Sequence, residues 1–294
     1  MMERLTLDGP VECAGVGLFT AKPAKVTLLP ATGPTGFRMR RTDAGVPEAA
    51  RAWFEVHAKN LQPMPNLPGR NTVLGVGGAV AITTEHVLSA LAGLRITDCD
   101  IELEGPEFPM FDGSSADYVD AIDDVGTLGM EIEVAPLTIT APVTVRSGNA
   151  TITATPRTKP GCTFTYELDY SGVQGAEGIR PQSAVWDGTP EAYRDEIAPA
   201  RTYCLIHEAQ ALRQAGLFRH VTPEDMLVLD RSGKPVDNEL HFDDEPARHK
   251  LLDLIGDLVL VGRPIQADIV ATRAGHALNH EMAKALLSAA EVRG

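Results

Sequence analysis

Short runs in which apolar and β-branched residues alternate with polar ones occur at residues 4–7, 25–29, 37–40 and 52–56, each bounded by Gly, Pro or Asp, and they predict strands. The period then changes. Over 85–94, Val87, Leu88, Leu91 and Leu94 recur on one helical face, with Thr83 or Thr84 as N-cap and Gly93 near the end. A strand at 100–103, a loop at Phe111-Asp112-Gly113 and a helix at 115–125 follow. The second half repeats this order, with strands at 137–145, 151–155 and 163–169, a helix at 246–261, a strand at 267–272 and a last helix at 276–290. Two smaller helices are expected at 190–196 and 207–216, and Gly75 to Gly78 reads as a turn or strand edge.

His86 and His249 both lie in the first helix of a helix-strand-helix ending and stand 163 residues apart. The same offset carries Asp112 to Gly275, beside the start of the last helix. Equal element order and spacing therefore predict two similar α+β domains, 1–130 with Glu85 and His86, and 131–294 with His249, Asp253 and His276, joined near 129–136. A site between two such domains is the default expectation.

Composition narrows the chemistry. Of 294 residues, 40 are acidic and 26 basic, a net charge of −14, which argues against a nucleic-acid surface because phosphate binding needs clustered cations. No apolar run reaches the roughly 20 residues that cross a bilayer, and Met1 to Leu7 lacks the layout of a signal peptide, so a cytoplasmic protein without an integral membrane segment is expected. Cys13, Cys99, Cys162 and Cys204 form no CxxC pair, so any metal must be held by His and carboxylate.

The helix at 246–261 is the most informative segment. Asp243, Asp244 and Glu245 suit its N-terminus, Pro246 its first position, and Gly262 with Pro264 its end. It is apolar around most of its circumference, so a buried helix is expected. Yet His249, Asp253 and Asp257 fall at about 0°, 40° and 80° on its wheel, a narrow polar stripe beside Gly256. The simpler account is a buried His–Asp hydrogen bond. The sharper one is a His/His/Asp metal site with a position open to water. Spacing alone leaves the third ligand open. Glu85-His86 opens the equivalent helix of the first half, with a carboxylate placed to take a proton from water, while His276 and His280 form a rival pair four residues apart. His276 also suits a general acid at a loop-to-helix junction, and His280 a capped surface residue. HExxH, GxSxG and a phosphate-binding loop are absent, and Asp112-Gly113-Ser114 reads as a turn before an N-cap.

Taken together, GVGLFTAKPAKVTLLPA, TTEHVLSALAGL, EFPMFDGSSADYVDAI, ARTYCL, ELHFDDEPARHKLLDLIGDLVLVGRPI and GHALNH resemble the zinc-dependent UDP-3-O-acyl-N-acetylglucosamine deacetylases of lipid A biosynthesis, over nearly the whole chain. The resemblance implies two α+β domains of layered sheets with helices packed between them. It implies zinc on His86, His249 and Asp253, Glu85 as general base, His276 as acid or oxyanion stabiliser, and Asp257 orienting His276. Thr202 would bond the tetrahedral intermediate, Lys250 would face the substrate phosphate, and Tyr203, where the family usually has Phe, would stack on sugar or base. The expected partner is a UDP-linked acylated amino sugar, handled by a monomer, with an acyl passage near 205–229 and Fe2+ as the alternative ion.

Three departures bear on substrate. Phe19 stands where the family usually has His, Ala21 where it has Gly, and Arg219-His220 where a Gly-Gly pair is common. Phe19 and Arg219-His220 keep open a paralogous zinc deacetylase acting on a different N-acetylated substrate. Two His and one carboxylate also describe a non-haem Fe(II) oxygenase, which would leave Glu85 and His276 idle. A binding protein that kept the fold without activity would leave the whole catalytic set idle.

Overall fold

In the computed structural model, which describes residues 1–48, 51–63, 69–223 and 225–291, the alternating runs pair into two mixed sheets of matching topology. The first contains β2 (Val11–Val16), β3 (Pro23–Pro30), β4 (Phe37–Arg41), β5 (Phe54–Glu55) and β8 (Cys99–Glu104), hydrogen-bonded in the order β2-β3-β8-β4-β5. The second contains β11 (Val143–Ser147), β12 (Ala150–Pro156), β13 (Thr163–Leu168), β14 (Gln182–Trp186) and β17 (Ile265–Thr272), in the order β11-β12-β17-β13-β14, with β10 (Leu137–Thr138) also on β17. Strand senses match as well. β8 is antiparallel to β3 and parallel to β4, and β17 is antiparallel to β12 and parallel to β13. The fold is α+β, and the repeated element order read from the sequence is a repeat of sheet topology.

Each central strand is preceded by one helix and followed by another. These are α1 (Glu85–Gly93) and α2 (Ala116–Val125) in the first half, α5 (Glu245–Leu258) and α6 (His276–Glu291) in the second. Small two-stranded inserts, antiparallel in the first half and parallel in the second, precede α1 and α5 at the same place in the repeat. The first is β6 (Val73–Val76) and β7 (Ala79–Ile82), turning at Gly77 and Gly78 with φ of 60° and 87°. The second follows α3 (Pro190–Ala192), and consists of β15 (Tyr203–Leu205), α4 (Ile206–Gln214) and β16 (Leu227–Leu229). Apolar side chains of both halves, such as Leu88 and Ile101 with Leu252 and Ile269, belong to one contiguous core.

α5 is buried along nearly its whole length, as its apolar circumference predicts, and it crosses α1 at close range. Gly256 permits this, because a Cβ there would lie 2.1 Å from the Glu85 carbonyl oxygen. Alanine gains about 1 kcal/mol over glycine in helix propensity, but overpacking costs about 1–3 kcal/mol and here the obstacle is backbone. Gly256→Ala is therefore expected to lower unfolding stability by about 1–2 kcal/mol, read by urea denaturation.

Differences from the sequence reading have local causes. The run at 137–145 is two strands, β10 and β11, parted around Pro142, which has no N–H to give a ladder. The stretch 127–134, which overlaps most of the expected joint at 129–136, is a strand, β9 (Thr127–Val134), paired antiparallel with β1 (Met2–Leu7). Its exposed face hides the alternation that marks a half-buried strand. The run at 52–56 shortens to β5, and the end of the helix expected at 246–261 tightens into a 3-10 turn at Val259–Val261, closed by left-handed Gly262. Thr84 stands at the N-cap of α1 as expected, but its side chain makes no capping hydrogen bond.

The four cysteines are free, and burial pushes their thiols up, to about 11 for Cys13 and Cys204 and about 12 for Cys162, with Cys99 higher still. A disulfide-forming thiol reagent at pH 8 should label them slowly in the native protein and all 4 at once in denaturant. Rapid native labelling would contradict this burial.

Candidate active site

The polar stripe of α5 faces the first turns of α1 and α6. Glu85 and His86 open α1, His249, Asp253 and Asp257 line α5, His276 opens α6, and all six are buried. His86, His249 and Asp253 each offer a ligand atom within 4.8 Å of the others, the one such group of three among the described residues. Asp253 Oδ1 lies 3.4 Å from His249 Nε2 and 3.9 Å from His86 Nε2.

The hydrogen-bond directions at this group matter. His249 Nδ1 is 3.0 Å from the Ala200 carbonyl, which can only accept, so Nδ1 carries the hydrogen. Burial pushes His249 down to about 4 and lowers His86 too, so both imidazoles are neutral near pH 7. The Nε2 lone pair of His249 therefore faces a carboxylate oxygen. Burial would raise Asp253, but Lys250 foremost, whose Nζ donates to Oδ2 at 2.9 Å, and then the histidines hold it well below the usual carboxylate range. Two electron-rich atoms facing each other at 3.4 Å call for a cation between them, and a simple His–Asp hydrogen bond is not what α5 makes. Neutral imidazoles beside an ionised carboxylate fit a dication of the zinc type.

A second cluster adjoins it. His276 Nδ1 donates to Asp257 Oδ2 at 2.8 Å, while its Nε2 stands 3.9 Å from Glu85 Oε1 and 3.7 Å from Asp253 Oδ2. Burial opposes charge on His276, but Asp257 and then Asp253 outweigh it and push the imidazole up to about 9. Burial pushes Glu85 up to about 8, with Asp257 and Asp253 adding to it and His276 opposing; a cation on the neighbouring group would act in the same sense as His276. Asp257 is held far below the carboxylate range, against its burial, by His276 foremost.

Tyr203 and Lys250, both half-buried, adjoin His249 and Asp253. The Tyr203 ring lies 6.5 Å from that of His249, Lys250 Nζ is 5.7 Å from the Tyr203 centroid, and the Tyr203 and Tyr170 hydroxyls are 2.9 Å apart. Thr202 precedes Tyr203 on the run that reaches His249 through Ala200, and its N–H donates to the Gly113 carbonyl at 2.7 Å. His280, expected as a capped surface residue or as one of a rival ligand pair, is not at the surface and stands outside the His86, His249 and Asp253 group. It lies half-buried behind Asp257, its Nε2 2.7 Å from Thr72 Oγ1.

Residues 4–288 match the family model described as UDP-3-O-acyl N-acetylglycosamine deacetylase. The chain belongs to that family. It is 34% identical over 283 residues to the UDP-3-O-acyl-N-acetylglucosamine deacetylase of Anaeromyxobacter sp. (strain Fw109-5), covering 96% of this chain and 88% of that protein. The Synechocystis sp. deacetylase of the same name is 36% identical over 290 residues, covering 95% and 96%, and that of Chlamydia pneumoniae 34% over 300 residues, covering 99% and 100%.

Within this deacetylase-family chain, Thr72 and Glu107 belong to the site although no sequence pattern marks them. Thr72 donates its N–H to Glu85 Oε2 at 3.0 Å and its hydroxyl to Asp257. Glu107, fully buried, accepts from the backbone N–H groups of Phe19 and Thr20 and from the hydroxyls of Thr20 and Thr83. It thereby fastens the segment carrying two departures to the entry of α1. Ala21 has φ of 54°, a left-handed conformation that favours the usual Gly. Phe19 packs on Phe218 with ring centroids 5.3 Å apart, and His220 Nε2 donates to the Gly17 carbonyl at 3.3 Å. Beside α4, Phe218 lines a half-open cavity of about 330 Å³ together with Ile206, Ala209, Met226 and Val228 and the polar Arg213 and Asp237.

Proposed function

We propose that this chain hydrolyses the N-acetyl group of a UDP-linked 3-O-acylated N-acetylglucosamine, releasing acetate and the free amine, as a step of lipid A biosynthesis in the cytoplasm. The observation that carries the reading is the convergence of two neutral imidazoles and ionised Asp253 beside the Glu85–His276 pair. His86, His249 and Asp253 would hold the ion, zinc in first place and Fe2+ as the alternative that the same donors accept. Bound there, zinc supplies Lewis acidity, polarising the amide carbonyl and making the attacking water more acidic.

The side chains divide the remaining work. Glu85 Oε1, the oxygen that Thr72 leaves free, takes the water proton. The His276 imidazolium, oriented by Asp257, faces the same point and gives its proton to the departing amine. Thr202 is assigned to the tetrahedral intermediate, and Tyr203 to stacking on sugar or base. The Lys250 ammonium, already bonded to Asp253, has three donors and takes a substrate phosphate oxygen with another. No helix among the described residues is long and apolar enough to cross a membrane, so the acyl chain needs shelter within the protein. The cavity at α4 supports that role for 205–229, and the protein is assigned as a monomer.

The test is acetate release from UDP-3-O-(hydroxyacyl)-N-acetylglucosamine by the zinc-loaded protein, its loss on chelation and its return with zinc. No release by a folded, metal-loaded sample rejects the reading. A second reading, the same hydrolysis on a different N-acetylated substrate, is favoured by the Phe19–Phe218 contact at the expected passage. It requires that a sugar lacking the UDP or the acyl chain be turned over at least about 10-fold faster by kcat/KM.

A further inference from the structure

Thr72 touches both members of the proton-handling pair. It is fully buried just ahead of β6, donates its backbone N–H to Glu85 Oε2 at 3.0 Å, and accepts the Thr84 N–H at 3.3 Å through its carbonyl. The direction of its side-chain bonds follows from donor counts. An ionised carboxylate only accepts, so the single hydroxyl hydrogen of Thr72 goes to Asp257 Oδ1. The hydroxyl oxygen then offers only lone pairs to His280 Nε2, 2.7 Å away, so that nitrogen carries a hydrogen and donates it. Asp257 Oδ2 accepts from His276 Nδ1 and from the Asn279 amide, each at 2.8 Å. Both oxygens of Asp257 are thus committed, one of them through Thr72.

We propose that Thr72 is a positioning residue of the hydrolytic site, with His280 aiming its hydroxyl; the proposal rests on the assignment of Glu85 as base and His276 as acid. The Thr72 amide decides which Glu85 oxygen remains free for water. Its hydroxyl sets the rotation of Asp257 and, through Asp257, the tilt of the His276 ring. One residue thereby sets in register a base on α1 and an acid on α6, groups supplied by different halves of the chain. A residue that only filled space would do none of this, and the two roles predict opposite orders for isosteric and conservative replacements.

Zinc-loaded wild type, Thr72→Val and Thr72→Ser are compared for bound metal, kcat and KM on UDP-3-O-(hydroxyacyl)-N-acetylglucosamine. Valine keeps the shape and the backbone N–H but removes a hydrogen bond to a charged group, so kcat falls about 10–100-fold. Metal content is kept and KM stays within about 3-fold, because the loss lies in the transition state. Serine restores the donor and brings kcat back to within about 3-fold of wild type. A Thr72→Val kcat within about 2-fold of wild type, or a Thr72→Ser variant no better than Thr72→Val, overturns the proposal. Should Thr72→Val not fold, the His280 position reads the same claim. His280→Gln, which keeps a donor, holds kcat within about 3-fold, while His280→Phe lowers it about 10-fold; equal kcat in the two overturns the proposal. A silent wild type overturns the deacetylase reading itself, an outcome told apart by the parent protein and not by a variant.

Discussion

Glu85→Gln lowers kcat by about 10²–10⁴-fold while leaving bound metal and KM close to wild type. The size follows from the role. Glutamine keeps the volume and still accepts the Thr72 N–H through its amide oxygen, so the packing of α1 on α5 is undisturbed. What it lacks is an oxygen able to take a proton at the face opposite His276, 3.9 Å from its Nε2. Steady-state kinetics with metal analysis on the same sample checks this. Loss of metal from Glu85→Gln would show that the carboxylate is a ligand and that the base lies elsewhere.

His249→Ala removes the metal and with it all measurable deacetylation, whereas His280→Ala leaves the metal in place. The contrast comes from where the two imidazoles point. His249 Nε2 stands 3.4 Å from Asp253 Oδ1, with its tautomer set by the Ala200 carbonyl, while His280 is 3.7 Å from Asp257 and tied to Thr72. Removing one of three protein ligands weakens a divalent site by far more than the roughly 10–100-fold lost when a supporting hydrogen bond is removed. Equilibrium dialysis against zinc separates the two variants. Retention of metal by His249→Ala together with its loss from His280→Ala would redraw the ligand set around the pair on α6.

Much of the arrangement is local and therefore legible along the chain. The four-residue spacing of His249, Asp253 and Asp257 puts them on one stripe of α5 whatever surrounds it, and the Gly256 beside them marks close approach before its neighbour on α1 is known. The choice between His86 and the pair His276 and His280 was not local. It depends on the packing of helices from opposite halves, and periodicity leaves it open until the resemblance to a family enters. Thr72 shows the limit most clearly. Its partners Glu85, Asp257 and His280 lie 13, 185 and 208 residues away, and nothing in GRNTVLG distinguishes it from any threonine before a strand. β9 is illegible in the sequence for a related reason, since pairing with β1 across the length of the first half leaves most of it exposed and without a periodic signature.

Charge is read differently once the site is built. The chain carries −14 overall, yet its proposed substrate is an anionic nucleotide sugar, so under that proposal attraction is local, through Lys250 and a cation that His86, His249 and Asp253 would hold. Mass spectrometry of the products formed in ¹⁸O-labelled water tests the central claim most directly. Hydrolysis of the amide places one label in acetate and leaves the UDP-linked amine with its 3-O-acyl chain intact. Label in a released fatty acid, or substrate consumed without labelled acetate, would contradict it.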